Sequence, residues 1–155
     1  MSLVGVISDT HGLLRPEALD ALAGVEHILH AGDIGSAQVI ERLQQIAPVT
    51  AVRGNNDKGE WADAYAPAEV VSIGGLFIYM LHDLNELDLD PAAAGFAAVV
   101  SGHSHKPLID ERNGVLFLNP GSAGPRRFKL PVSVAKLRLE EGALRAEIHE
   151  LAIRS

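Results

Sequence analysis

Apolar residues fall along this chain in short runs that stop abruptly at polar clusters. Residues 3–7, Leu-Val-Gly-Val-Ile, form a compact branched run that ends at Ser8-Asp9. Such a run reads as a buried strand with polar residues at its carboxyl end. Pro16, followed by Ala18, Leu19, Ala21 and Leu22, predicts a helix with proline in its first turn. Residues 27–30 predict a second strand, ending in Ala31-Gly32-Asp33. Ser36 then predicts the cap of a helix whose apolar positions are Val39, Ile40, Leu43 and Ile46. Residues 49–52 predict a third strand, running directly into Arg53-Gly54-Asn55-Asn56-Asp57. The first third therefore alternates strand and helix, which implies parallel strands, and in α/β sheets ligands sit beyond the carboxyl ends of such strands.

The remainder is richer in strands. Residues 70–73 and 76–81, joined at Gly74-Gly75, predict a hairpin that ends at His82-Asp83. A short helix is expected from Asp90-Pro91 to Phe96, before a strand at 97–100 that ends in Ser101-Gly102-His103-Ser104-His105. Residues 108–112 and 115–118 flank Asn113-Gly114, a strong hairpin signal. Residues 133–140 and 143–151 predict another hairpin around Glu141-Gly142, although the Ala, Leu and Glu content of the last segment also suits a helix. No repeat or low-complexity linker divides the chain, so residues 1–155 are expected to form a single domain.

Charge and composition narrow the chemistry. A net charge of −7 argues against a nucleic-acid polymer as partner, since that usually needs a basic face. The chain has no cysteine, which removes disulfides, thiolate ligands and cysteine nucleophiles together. Any metal must be held by imidazole, carboxylate, amide or water. No targeting signal opens the sequence and no apolar window approaches a membrane span, so a cytoplasmic location without membrane contact is expected.

Five polar clusters remain, each just after an expected strand: Asp9-Thr10-His11, Gly32-Asp33, Gly54-Asn55-Asn56-Asp57, His82, and His103-Ser104-His105. Asp-x-His and His-x-His can turn alternate side chains toward one centre. With a further carboxylate and an amide they supply the mixed nitrogen and oxygen ligands that suit zinc, manganese or iron. Either pair alone is more often a surface turn than a ligand pair, and His82 alone more often a solvated turn residue. Five clusters in order make that reading strained.

In this order the clusters resemble the calcineurin-like metallophosphoesterase superfamily. The stretch 52–55 and Asn119-Pro120-Gly121-Ser122 are most similar to its small, cap-less bacterial and archaeal phosphodiesterases. The resemblance spans residues 4 to 122. It implies an α/β fold of two packed mixed β-sheets flanked by helices, a four-layer α/β/β/α arrangement. It also implies two divalent transition-metal ions, manganese first, with iron, nickel or zinc as alternatives. Asp9, His11 and His105 would hold one ion, Asp33 would bridge, and Asn55, His82 and His103 would complete the other. A metal-bridging hydroxide would then attack the phosphorus of a small phosphoester, most readily a diester, with no protein nucleophile.

Asn56 and Asp57 are the remaining catalytic candidates. Asp57 is expected to orient a neighbouring group. Many superfamily members carry histidine, and the small phosphodiesterases often cysteine, at the position of Asn56. Asparagine can donate a hydrogen bond to a phosphoryl oxygen but cannot deliver a proton near neutral pH. This chain is therefore expected to be slow on esters with poor leaving groups, since general acid catalysis is worth about 10²–10⁴-fold. His30 is expected to pack or hydrogen-bond beside the Gly32-Asp33 turn, and His27 and His149 to have no catalytic role. Arg126, Arg127 and Lys129 read as a solvated loop.

The rival reading is a protein-interaction scaffold on the same fold, of the kind represented by the retromer subunit of this superfamily; the missing proton donor at Asn56 favours it. Retention of all seven metal-ligand positions opposes it. A dinucleotide-binding fold is rejected because no Gly-x-Gly-x-x-Gly follows the first strand. Exposed strands in the C-terminal half are compatible with a homo-oligomer.

Overall fold

The structure, a computed structural model, describes residues 2–127 and 129–153. Its two five-stranded sheets follow the alternation of the sequence. In the first part, β1 (Ser2–Ile7), β2 (His27–His30) and β3 (Val49–Ala51) are linked by α1 (Pro16–Ala21) and α2 (Ala37–Gln44). Both crossings join parallel neighbours, β1 to β2 and β2 to β3. The hairpin of β9 (Ser133–Glu140) and β10 (Ala143–Glu150) then adds to the free edge of β1, with β9 antiparallel to it. The C-terminal segment is thus a strand: its residues alternate between exposed and half-buried from Ala143 to Ile148, a period of two that no helix matches.

The second sheet has the order β4-β5-β6-β8-β7, formed by β4 (Ala68–Ile73), β5 (Leu76–Leu81), β6 (Ala98–Val100), β7 (Leu108–Arg112) and β8 (Val115–Asn119). Strands β5, β6 and β8 run parallel, while β4 and β7 return antiparallel at the two edges.

From Leu3 to Ile7 β1 is apolar because both of its faces are covered. Val4 and Val6 point into the space between the sheets, where they meet Leu29, Ile78, Met80, Val100 and Leu118. Ile7 points the other way, into the layer that α1 and α2 close with Ala18, Leu22, Val39, Ile40 and Leu43. Each such aliphatic side chain contributes about 1.5–3 kcal/mol on burial, so these two layers dominate the stability of the fold.

The fourth layer differs from expectation in its content. The outer face of the second sheet, with Leu81, Val99, Val115 and Phe117, is covered by Leu84 and Leu87 around a 3₁₀ turn at Leu84–Glu86. The helix expected from Asp90-Pro91 to Phe96 is a run of turns. The Asp90 carboxylate accepts from the Ala92 and Ala93 amides, and Gly95 adopts a left-handed backbone that ends the turn at once. Gly95 therefore breaks the segment before a second helical turn can form, and Phe96 instead rests on Tyr79 with ring centroids 5.2 Å apart. Among the described residues no helix is long and apolar enough to cross a membrane.

Candidate metal centre

Strands β1, β2, β3, β5, β6 and β8 all deliver their carboxyl ends to one edge of the sandwich. This is why clusters far apart in sequence meet. Asp9 and His11 follow β1, Asp33 follows β2, Asn55 to Asp57 follow β3, His82 follows β5, and His103 and His105 follow β6.

Two groups there have ligand atoms within 4.8 Å of one another: Asp9, His11 and His105, and Asp9, Asp33 and His82. Asp9 Oδ1 lies 3.9 Å from His11 Nε2, 3.7 Å from His82 Nε2 and 3.4 Å from His105 Nε2. Asp33 Oδ2 lies 3.6 Å from His11 Nε2 and 3.2 Å from His82 Nε2. Both carboxylates therefore sit between the same two imidazoles, and Asp9 is the member common to the two groups.

For Asp9 and His82 the protein leaves the inward atom free while it fixes the outward one. Asp9 Oδ2 accepts from the Ser8 hydroxyl at 2.8 Å and from the His103 amide at 3.0 Å. Asp9 Oδ1, His11 Nε2 and His82 Nε2 are buried and have no hydrogen-bond partner among the described residues. His82 Nδ1 lies 2.7 Å from the Ala31 carbonyl. That carbonyl can only accept, so Nδ1 carries the proton and the Nε2 lone pair faces the centre, the tautomer a metal ligand requires. Buried polar atoms left unpaired cost about 1–3 kcal/mol each, and three converging on one point fit a cation.

The electrostatics agree. Burial would raise the Asp33 carboxyl, but the His82 imidazole and the Asn56 amide groups outweigh it and hold the group well below the usual carboxylate range. Burial likewise opposes ionisation of Asp9, and His105, His82 and Ser8 more than offset it. His82 shows the reciprocal effect: burial lowers its basicity, yet Asp33 and Asp9 raise it above that of a free imidazole. Two buried carboxylates hold a net negative charge that attracts a proton or a metal ion.

Backbone strain marks the same loops. Among the described residues seven non-glycine residues adopt a left-handed backbone, and five of them are Asp9, His11, Asp33, His103 and His105, with φ between 47° and 71°. Such conformations cost on the order of 1 kcal/mol or more each and persist where surrounding contacts enforce them. Two glycines provide the necessary room. A Cβ on Gly102 would run into Ser8 Oγ and Asp9 Oδ2, and one on Gly54 into the Asp33 backbone and carboxylate.

The remaining expected residues lie at different distances from this centre. His105 is buried and stacks on His11, with centroids 5.4 Å apart. His103 stays outside both groups: its ring stands edge-on to His82 at 5.2 Å, and its Nε2 lies 3.7 Å from Asp83 Oδ2. Asn55 is exposed and shares a cavity wall with His82 and His103. Asn56 folds back onto Asp33, its backbone N–H donating to Oδ1 at 3.0 Å and its side-chain amide to Oδ2 at 3.1 Å. Asp57 is buried, and its carboxylate accepts from the amides of Ile34 (3.0 Å), Gly35 (3.0 Å) and Gly54 (2.9 Å). It ties the loop carrying Asp33 to the loop carrying Asn55.

Several residues outside the ligand set hold this geometry; sequence reasoning passed over Ser8, placed Asn119 and Ser122 only in a loop motif, and expected His30 to pack or hydrogen-bond beside Gly32-Asp33. Ser8 fixes the Asp9 carboxylate, and the Ser122 hydroxyl donates to the Asp9 carbonyl at 3.0 Å. Asn119 donates to the Gly102 carbonyl at 2.9 Å and steadies the His-x-His loop. His30 accepts the Gly32 amide on Nδ1, so its Nε2 proton faces Thr10 Oγ1 at 3.0 Å, and Thr10 passes its own to the Ile34 carbonyl at 2.7 Å. Complete burial holds His30 neutral, its pKa lowered to about 4. The available signal was a polar residue at the end or inside of an otherwise apolar strand.

Comparison with known proteins places this geometry in a family. The model of the calcineurin-like phosphoesterase superfamily domain matches residues 2–142. The "Probable metallophosphoesterase" of Methanothermobacter thermautotrophicus is 37% identical over 158 residues, covering 94% of this chain and 91% of that protein. Among solved structures, an archaeal phosphodiesterase superposes with a TM-score of 0.78 at 25% identity, over 95% of this chain and 99% of that one. Vps29 from Entamoeba histolytica superposes with a TM-score of 0.73, also at 25% identity, over 96% and 99%. On the family match across most of its length, supported by these likenesses, the chain belongs to the calcineurin-like phosphoesterase superfamily.

Proposed function

We propose that this protein is a dinuclear metal-dependent phosphodiesterase. The observation that carries the reading is the convergence of Asp9 Oδ1, His11 Nε2 and His82 Nε2, buried and unpartnered, around Asp33 at the carboxyl edge of both sheets. Asp9, His11 and His105 would hold one ion and Asn55, His82 and His103 the other, with Asp33 between them. The ions, manganese first, would supply Lewis acidity toward a phosphoryl oxygen and a hydroxide nucleophile at neutral pH.

The chain's own residues do the positioning. Ser8 and the His103 amide orient Asp9, the Ala31 carbonyl sets the His82 tautomer, and Asn56 steadies Asp33. Asp57 keeps the two loops in register. No donor of a proton to the leaving group stands at Asn56, whose amide is instead engaged with Asp33.

The likeness to Vps29 supports a second reading, a protein-interaction scaffold on the same fold. Hydrolysis separates the two. Chelator-treated protein is assayed on bis-p-nitrophenyl phosphate and on p-nitrophenyl phosphate, with and without added manganese, alongside Asp33→Ala. Metal-restored turnover of the diester, lost in the variant, is the expected result. Absence of turnover on both esters with manganese, iron, nickel and zinc would favour the scaffold.

A further inference from the structure

Two cavities open beside the metal centre, of about 300 Å³ and about 350 Å³, and they share only His103 and Asp83 as common walls. The smaller is walled on its apolar side by Leu84, Pro107 and Leu108, with Asn85 and Lys106 among its polar members. The larger has a less apolar lining than the smaller, with Arg53, Asn55 and Glu86 around His82. The two cavities meet at His103 and Asp83, so a group held at His103 has two differently built places beside it.

We propose that the cleft is two-armed, and that the cavity walled by Leu84, Pro107 and Leu108 receives a flat, apolar ester arm of a phosphodiester, while the cavity at Arg53 takes the polar arm. The inference rests on the phosphodiesterase reading and names the substrate class it implies: diesters with one aryl or heterocyclic substituent.

Leu108 carries the argument. It opens β7 and stays 37% exposed although it lines a concave site. An apolar wall left open to water in a pocket is where ligand surface replaces solvent. The pocket is also held rigidly at its base. Asn119 donates to the Gly102 carbonyl and to Ser104 Oγ, and the Lys106 amide donates to the same Oγ at 3.2 Å, which fixes the loop that leads into Pro107 and Leu108. On the opposite side, the Asp83 carboxylate accepts from the Asn85 amide at 3.0 Å and seats the turn that carries Leu84. A monoester presents a single arm and leaves one cavity unfilled, whereas a diester fills both.

The test compares inhibition of bis-p-nitrophenyl phosphate hydrolysis by diphenyl phosphate and by diethyl phosphate, in manganese-loaded protein. Neither inhibitor reports leaving-group reactivity. Diphenyl phosphate is expected to bind about tenfold more tightly, the discrimination a modest apolar pocket supplies. Leu108→Asp should abolish that preference and raise KM for the substrate about tenfold at little cost in kcat, and Leu108→Phe should retain the preference. Val70→Asp, on an exposed part of β4 outside the cleft, should leave both inhibition constants unchanged. Equal inhibition of the wild type by the two diesters, or a preference that survives Leu108→Asp, would overturn the subsite while leaving the phosphodiesterase reading intact. Absence of any turnover in the wild type would overturn that reading and the subsite with it.

Discussion

Removing the Asp57 carboxylate should loosen the centre without touching a single ligand. Its two oxygens hold three backbone N–H groups from two loops. Ile34 and Gly54 are buried, so their amides find no water in Asp57→Ala, at a cost of about 2 kcal/mol each. Gly35 is exposed and its N–H is rehydrated, which reduces its share to roughly 0.5–1 kcal/mol. The sum, about 5 kcal/mol, is a large part of the stability of an ordinary domain. At this chain length it corresponds to a melting temperature lower by roughly 10–20 °C. Asp57→Asn keeps one acceptor oxygen and should lose about half as much. The assay is thermal unfolding of chelator-treated protein, because bound metal would stabilise the folded state by mass action and mask the difference. Metal titration of the refolded variants should show affinity lower by about 10–100-fold, since both loops carry ligands. A melting temperature for Asp57→Ala within about 3 °C of the wild type would refute the reasoning.

Further outcomes follow from the same contacts. His30 is neutral in the folded state with a pKa of about 4, against 6.5 when unfolded, so the unfolded chain binds the extra proton between those values. Stability should therefore be intact above pH 6.5 and fall by up to about 3 kcal/mol as pH drops toward 4. His82, raised above its free value, contributes in the opposite sense, its stabilisation being complete below 6.5 and lost at higher pH. Urea midpoints at pH 7 and pH 5, measured for wild type and His30→Gln, isolate the His30 share; equal losses in the two proteins would contradict it. Gly102→Ala should cost on the order of 1–3 kcal/mol and weaken metal binding, because its Cβ displaces Ser8 Oγ and Asp9 Oδ2. Calorimetric titration showing wild-type affinity in that variant would count against the packing argument. Turnover should fall steeply from nitrophenyl to alkyl diesters, and Asn56→His should restore on the order of 10²-fold on the alkyl esters. A flat leaving-group dependence, with chemistry rate-limiting, would refute the role given to position 56.

Much of this architecture was legible in the residues, for identifiable physical reasons. The run at residues 3–7 is apolar at every position because β1 is buried on both faces, and Asn113-Gly114 forces a tight turn through two left-handed residues. The ligand clusters could be located because each interrupts an apolar strand at its carboxyl end. The segment 90–96 misled because Pro-Ala-Ala-Ala has helical propensity, while its length and Gly95 permit only turns. The last strand was ambiguous because it lies at a sheet edge, where one face stays solvated and Ala, Leu and Glu are tolerated. The support of the centre was least visible. Asn119 and Ser122 stand in a motif the sequence offers, but their bonds to the Gly102 and Asp9 carbonyls join distant parts of the chain, and pairings of that kind leave no periodicity to read. The engagement of Asn56 with Asp33, where a substrate contact was expected, is likewise a matter of side-chain direction that spacing does not encode.

The most direct measurement is the number of ions the chain binds. Chelator-treated protein titrated with manganese, with the bound metal counted after desalting, should hold two ions per chain. Asp33→Ala and His105→Ala should each hold fewer while still unfolding cooperatively in the metal-free state. A wild type that retains no manganese, iron, nickel or zinc would contradict the account, since buried Asp9 Oδ1, His11 Nε2 and His82 Nε2 would then face one another with nothing to bind.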